Sequence, residues 1–155
     1  MESKPRGWLA ALVVSLALAG CAIPLSPADL ERNENHFYPG RTKGQLFKAT
    51  TTALKTLGFQ IVVSDEAAGK IKTAPKLVTT TAYGSNYSAV ATENSIGWNI
   101  DVGPAQNGGG AGMHAEPKGY SGGQVLQATD MNGAYLEKLF DTLYGEIDSN
   151  LPPAH

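Results

Sequence analysis

A chain of 155 residues with a formal net charge of −2 is sized for one domain, and this balance excludes a strongly basic nucleic-acid binder. A single cysteine excludes an internal disulfide framework. Eighteen glycines and only 17% charged residues, with many Thr, Ser and Asn, argue for a loop-rich, β-containing domain and against a helical bundle.

The N-terminus carries the clearest signal. Lys4 and Arg6 precede an uncharged, largely apolar run from Trp8 to Ala19. That run is the length of a signal h-region and short of the roughly 20 residues a spanning helix needs. Small residues follow, then the only cysteine. Leu18-Ala19-Gly20-Cys21 resembles the lipobox of bacterial lipoproteins at all four positions. The resemblance implies that the Cys21 sulfur takes a diacylglycerol, that residues 1–20 are removed as a signal peptide, and that the new N-terminus is acylated. A thiolate is the nucleophile such a transfer needs, and several acyl chains hold far more firmly than one. Ala22, in place of Asp, implies the outer membrane by that family's sorting rule. The expected lipid attachment site is therefore Cys21, and the expected partner of the N-terminus is the membrane.

Residues 21–35 read as an acylated N-terminus and tether, with two prolines, mixed charge and no sustained periodicity. A helical turn at 27–30 with Ser26 as cap fits within it. His36-Phe37-Tyr38, stopped by Pro39-Gly40, reads as a first strand or a lid on the core. Thr42-Lys43-Gly44-Gln45 fits a capping box. Leu46, Ala49, Thr50, Ala53, Leu54 and Leu57 then recur at helical spacing, Phe47 widens the stripe, and Gly58 is the left-handed stop. Phe59, Ile61 and Val63 alternate with Gln60, Val62 and Ser64 as a strand. A turn at 65–69 leads to Lys70-Ile71-Lys72-Thr73, which predicts a hairpin. Pro75 marks a break, and 77–82 continues extended. The stretch 83–94 is ambiguous. Ile96, Trp98, Ile100 and Val102 alternate with Ser95, Gly97, Asn99 and Asp101, the pattern of an antiparallel strand with one buried face. The glycine-rich loop 105–112 lacks the Lys-Ser/Thr ending of a phosphate loop and reads as a hairpin connection. Residues 113–118 alternate as an edge strand that tolerates Pro117. Asp130 is placed to cap a last helix whose stripe is Leu136, Leu139, Phe140, Leu143 and Ile147, with Pro152-Pro153 as its stop.

No catalytic or cofactor-binding group stands out. His36, His114 and His155 lack metal-ligand spacing. No Ser sits in a Gly-x-Ser-x-Gly elbow. Asp65-Glu66 reads as a solvated turn, and Lys70, Lys72 and Lys76 as charges guarding an edge. Trp98 reads as core, and Tyr83, Tyr87 and Tyr120 as aromatics on Gly/Ser/Asn-rich loops, candidates for a binding edge.

From Ala49 to Lys72 the chain resembles the domain module of the BamC (NlpB) lipoproteins of the outer-membrane β-barrel assembly machinery. The matching pattern is Ala53-Leu54-Lys55-Thr56-Leu57-Gly58-Phe59, the acidic turn 65–69, then Ile71. The resemblance implies a helix-on-sheet module and an envelope role. The expected architecture is an α+β two-layer sandwich, an antiparallel sheet of three to five strands with two helices on one face. It occupies 36–148, with a tail at 149–155. The expected function is that of a non-enzymatic, protein-binding or structural component of an envelope complex, on the periplasmic side of the outer membrane. The alternative is a periplasmic module for a small molecule, glycan or lipid.

Overall fold

Side-chain caps start all three α-helices found among the described residues. The structure, a computed structural model, describes residues 23–83, 90–106 and 108–153. Helix α1 (Pro27–Glu34) begins at Ser26, whose hydroxyl accepts from the Asp29 amide at 3.2 Å, and Pro27 fills the first turn, where no amide donor is required. Strand β1 (Asn35–Pro39) follows. Helix α2 (Lys43–Thr56) starts with the expected reciprocal pair: the Gln45 amide donates to the Thr42 hydroxyl at 3.2 Å, and the Thr42 amide to the Gln45 side chain at 3.0 Å. Gly58 takes φ +78° and ends it. Strands β2 (Ile61–Asp65) and β3 (Lys70–Thr73) form the predicted hairpin. They are followed by β4 (Lys76–Tyr83), β5 (Val90–Pro104), β6 (Gly110–Ser121) and β7 (Gln124–Leu126). A short 3-10 turn, Ala128–Asp130, leads into α3 (Gly133–Asn150).

The fold is α+β. Its antiparallel sheet has seven strands among the described residues, in the order β1-β6-β5-β3-β2, with β4 also on β5 and β7 also on β6. The sheet is larger than the three to five strands expected. The surplus comes from β5 and β6, which are long enough to carry two partners each along one edge: β5 takes β4 at 90–96 and β3 at 99–101, and β6 takes β1 at 110–114 and β7 at 119–121.

That arrangement corrects the edge assignments. Strand β3 is interior, between β2 and β5, so its lysines do not guard an edge; Lys70 instead pairs with Asp101 at 2.7 Å. Strand β6 is interior too, and Pro117 fits for a local reason. Its partner Trp98 turns its amide away from β6, to the Thr73 hydroxyl at 2.8 Å, so the pair exchanges no ladder bond. The proline nitrogen faces the gap between β1 and β7. The expected alternation in β2 also fails: a bulge at 61–63 leaves both Val62 and Val63 exposed.

Three further boundaries move. Part of the segment expected as tether is helix α1, held down by buried Leu30 and by the Tyr144 hydroxyl, which donates to the Asn33 carbonyl. Helix α3 is capped by Asn132, whose side chain accepts from the Tyr135 amide at 3.1 Å; Asp130 closes the 3-10 turn by accepting from the Gln127 amide. It runs to Asn150, into the segment expected as tail.

The core lies between the sheet and α2 and α3. Ile96, Trp98, Ile100 and Val102 are all buried, as their alternation predicts, and face Leu46, Ala53 and Leu54 of α2 and Leu136, Phe140, Leu143 and Ile147 of α3. Trp98 meets Phe140 edge-on at 5.5 Å. Phe140 stacks on Tyr144, and Tyr144 on His36, which also touches Tyr38. Gly69 is required where it stands. Its φ is +74°, its carbonyl accepts from the Val102 amide at 2.7 Å, and a Cβ there would sit 1.9 Å from the Val102 carbonyl oxygen.

Candidate binding cleft

Beside the start of α3, a cleft of about 360 Å³ opens against strands β4, β5, β6 and β7. Val78 of β4, Ile96 of β5, Leu126 of β7 and Met131 and Tyr135 beside the α3 start supply its apolar lining. Asp130 and Asn132 stand on its rim, and both carry the capping bonds described above. Gly119 lets the floor form: a Cβ there would meet the Met131 methyl at 2.5 Å. Burial raises the Tyr135 hydroxyl above its ordinary pKa, so it stays protonated and able to donate.

A smaller cavity of about 130 Å³ shares Val78 and Ile96 with the cleft and runs between β4 and α3 toward Trp98, Leu139 and Leu143. The Trp98 indole N–H is fully buried and has no hydrogen-bond partner among the described residues. Lys76 borders this cavity, and its ammonium is engaged. It donates to the Leu57 carbonyl at 2.6 Å, capping the end of α2, and lies 5.2 Å from the centre of the Phe59 ring.

The opposite face of the sheet carries no helix among the described residues and holds most of the charged pairs. Lys70 pairs with Asp101, and Glu116 accepts from Lys118 and Asn99. Desolvation pushes the Glu116 carboxyl up, but the bonds from Lys118 and Asn99 outweigh it and hold the group below its ordinary value. His114 lies 3.1 Å from the Asn35 side chain. Glu34, nearby, is raised, mainly by burial.

The residues singled out in the sequence are scattered over this framework. Cys21, Tyr87, His155 and the Tyr83 side chain lie outside the described residues. His36 is stacked on Tyr144 and His114 belongs to the polar face; among the described residues no cluster of three or more His, Cys, Asp or Glu is placed to hold a metal. Asp65 accepts from the Ala68 amide and stays in its turn. Tyr120 lies in β6 opposite Ser95 and Val125, a correction of its loop assignment, and it borders the cleft. Sequence reasoning missed Val78, Leu126 and Met131 as a group, since only the fold brings β4, β7 and the α3 start together. Tyr135, one residue before the apolar stripe of α3, is the one member of the lining that stands out by residue type. Among the described residues no helix is long and apolar enough to cross a membrane.

No family model matches the chain. No curated protein matches it. Among solved structures it is similar to a DUF4468 family protein from Bacteroides ovatus, at 15% identity over 84% of this chain and 86% of that chain, with a TM-score of 0.36.

Proposed function

We propose that this chain is an outer-membrane lipoprotein, anchored through an acylated Cys21, whose α+β domain faces the periplasm. There it serves an envelope complex as a non-enzymatic, protein-binding component. The observation that carries the binding role is the state of two sheet edges that have no further strand partner among the described residues. Strand β2 exposes Val62 and Val63, and β4 exposes Leu77 and Val78. Edge strands are ordinarily blunted by charge. Apolar ones offer main-chain pairing with pockets for side chains, the basis of strand-addition recognition. The test is a photo-crosslinking residue placed at Val62 or Leu77 in cells, with exposed Lys48 as control. The same envelope protein is expected from an edge position and not from Lys48. Equal capture at all three positions, or none, sinks the reading. Cys21→Ala should abolish lipid labelling and release the protein from membranes.

The cleft favours a second reading, a periplasmic module for a small molecule, glycan or lipid. Its volume of about 360 Å³ falls within the range of roughly 300–1,000 Å³ usual for ligand sites. A co-purifying ligand found by native mass spectrometry, and lost in Tyr135→Ala, would favour that reading over the first.

A further inference from the structure

The segment just after Cys21 is pinned to the domain. Helix α3 leaves the amide of its first residue, Gly133, without a partner inside the helix. The Ile23 carbonyl takes that amide at 2.9 Å. Gly133 is buried because the chain passes directly over it. A Cβ there would lie 2.8 Å from the Ile23 oxygen and 3.1 Å from the Leu25 nitrogen. Leu25 packs against the core, and the Ser26 carbonyl then opens α1 by accepting from Leu30. Glycine at 133 therefore forms a slot, and residues 23–25 occupy it.

The consequence concerns reach. Only Ala22 separates Cys21 from Ile23. Two trans peptide units span at most about 7.6 Å between Cα atoms. Ile23, the pinned residue nearest the anchor, is 75% exposed.

We infer that the domain does not hang on a leash but lies flush on the lipid surface, with the α3 N-terminal end and its cleft rim against the bilayer. This inference rests on acylation of Cys21. Acyl chains seated in the membrane fix the position of Cys21, the slot at Gly133 fixes Ile23, and the short span between them brings the start of α3 and the adjoining 3-10 turn to the headgroups. An exposed isoleucine at the point of contact suits an interface that is apolar just below the headgroups. The far end of α3, at Ser149, stands about 24 Å away along the helix at 1.5 Å per residue.

The experiment uses the lipidated protein in vesicles of phosphatidylethanolamine and phosphatidylglycerol doped with a nickel-chelating lipid. Acylation blocks the Cys21 sulfur, so a nitroxide attaches only to an introduced cysteine, at Thr129→Cys in the 3-10 turn or at Ser149→Cys. Paramagnetic relaxation by the headgroup nickel is expected to be several-fold stronger at Thr129 than at Ser149. A flexible Gly/Ser insertion between Ala22 and Ile23 leaves every folded contact intact and should bring the two positions to parity. Gly133→Val should do the same by closing the slot, and the insertion decides the matter if that variant fails to fold. Parity in the protein without the insertion overturns the flush placement, as does an asymmetry that survives the insertion. Flotation with the vesicles reads the anchor separately: a protein that does not float loses both the anchor and this inference, whereas one that floats with parity loses the inference alone.

Discussion

Replacing Trp98 by alanine tests the core at its largest member. Trp98 is 1% exposed, faces Phe140 edge-on at 5.5 Å and lies on the central strand pair. Truncating a buried tryptophan costs about 3–5 kcal/mol, transfer and cavity together, and the edge-on ring pair accounts for about 0.5–1.5 kcal/mol of such a loss. One contribution runs the other way. The indole N–H is buried without a partner, so its removal forfeits no hydrogen bond and relieves a desolvation cost of about 1–3 kcal/mol. The expectation for Trp98→Ala is therefore near the lower end, about 3 kcal/mol, or roughly 10 °C in Tm for a domain of this size. Trp98→Phe keeps most of the apolar contact, discards the unpartnered donor, and should cost less than about 1.5 kcal/mol. Thermal and urea unfolding followed by far-UV circular dichroism measures both. An unchanged midpoint for Trp98→Ala would place this face of β5 outside the core. A Phe variant as costly as the Ala variant would show that the indole N–H is bonded in solution, and would refute the argument from its isolation.

Three other outcomes follow from named contacts. Asn132→Ala should cost about 1 kcal/mol by removing the α3 cap, while Asp130→Ala leaves α3 intact; equal losses of α3 amide protection in hydrogen exchange would contradict the assignment. Tyr144→Phe removes the bond to the Asn33 carbonyl, for about 0.5–1.5 kcal/mol, and should speed exchange of the Leu30 amide, which reports α1. The two perturbed carboxyls should show opposite pH signatures. Glu116 is held below its ordinary value of 4.5, so its stabilising contribution is full above that pH and is lost as pH falls through its folded pKa. Glu34 is raised above 4.5, so its ionisation costs stability at neutral pH, and the cost disappears as pH falls through its folded pKa. Glu116→Gln should thus lower Tm at pH 7 and Glu34→Gln raise it, both effects fading in acid; matching signs would refute the assignment.

Local signals were legible, the β2–β3 hairpin among them, and pairing between strands distant in sequence was not. The α2 capping box and stripe need only neighbours within one helix, and each appears in the structure as the sequence implies. The alternation of Ile96, Trp98, Ile100 and Val102 was equally legible, because burial on one face of a strand leaves a period of two wherever its partners come from. Which strands stand at the edge depends on partners far away in sequence. Lysines at 70 and 72 look the same on a guarded edge and on an interior strand whose outer face meets Asp101 and solvent. Pro117 argued for an edge on general grounds, and only the bond from Trp98 to Thr73 shows how an interior strand accepts it. Asp130 and Asn132 are equally good caps by residue type, and the choice was made by where the 3-10 turn closes.

The candidate site was the least legible part, for a related reason. Its floor depends on side-chain absence, since Gly119 leaves room for Met131; in the same way, beside the cleft, Gly133 leaves room for Ile23 and Leu25. A glycine in a strand or at a helix start reads, one residue at a time, as a weak position, since it gives up backbone entropy without a packing gain. It becomes informative only when the atoms that fill its space are known. The same holds for the stretch after Cys21. Two prolines and mixed charge describe a linker as well as they describe a capped turn pinned in a slot, and composition cannot separate the two. What separates them is a backbone amide at the start of α3 that needs an acceptor and finds one more than a hundred residues earlier in the chain. If Cys21 carries the proposed acyl chains, the distance between anchor and domain is set by the last helix and not by the segment that was expected to act as its tether.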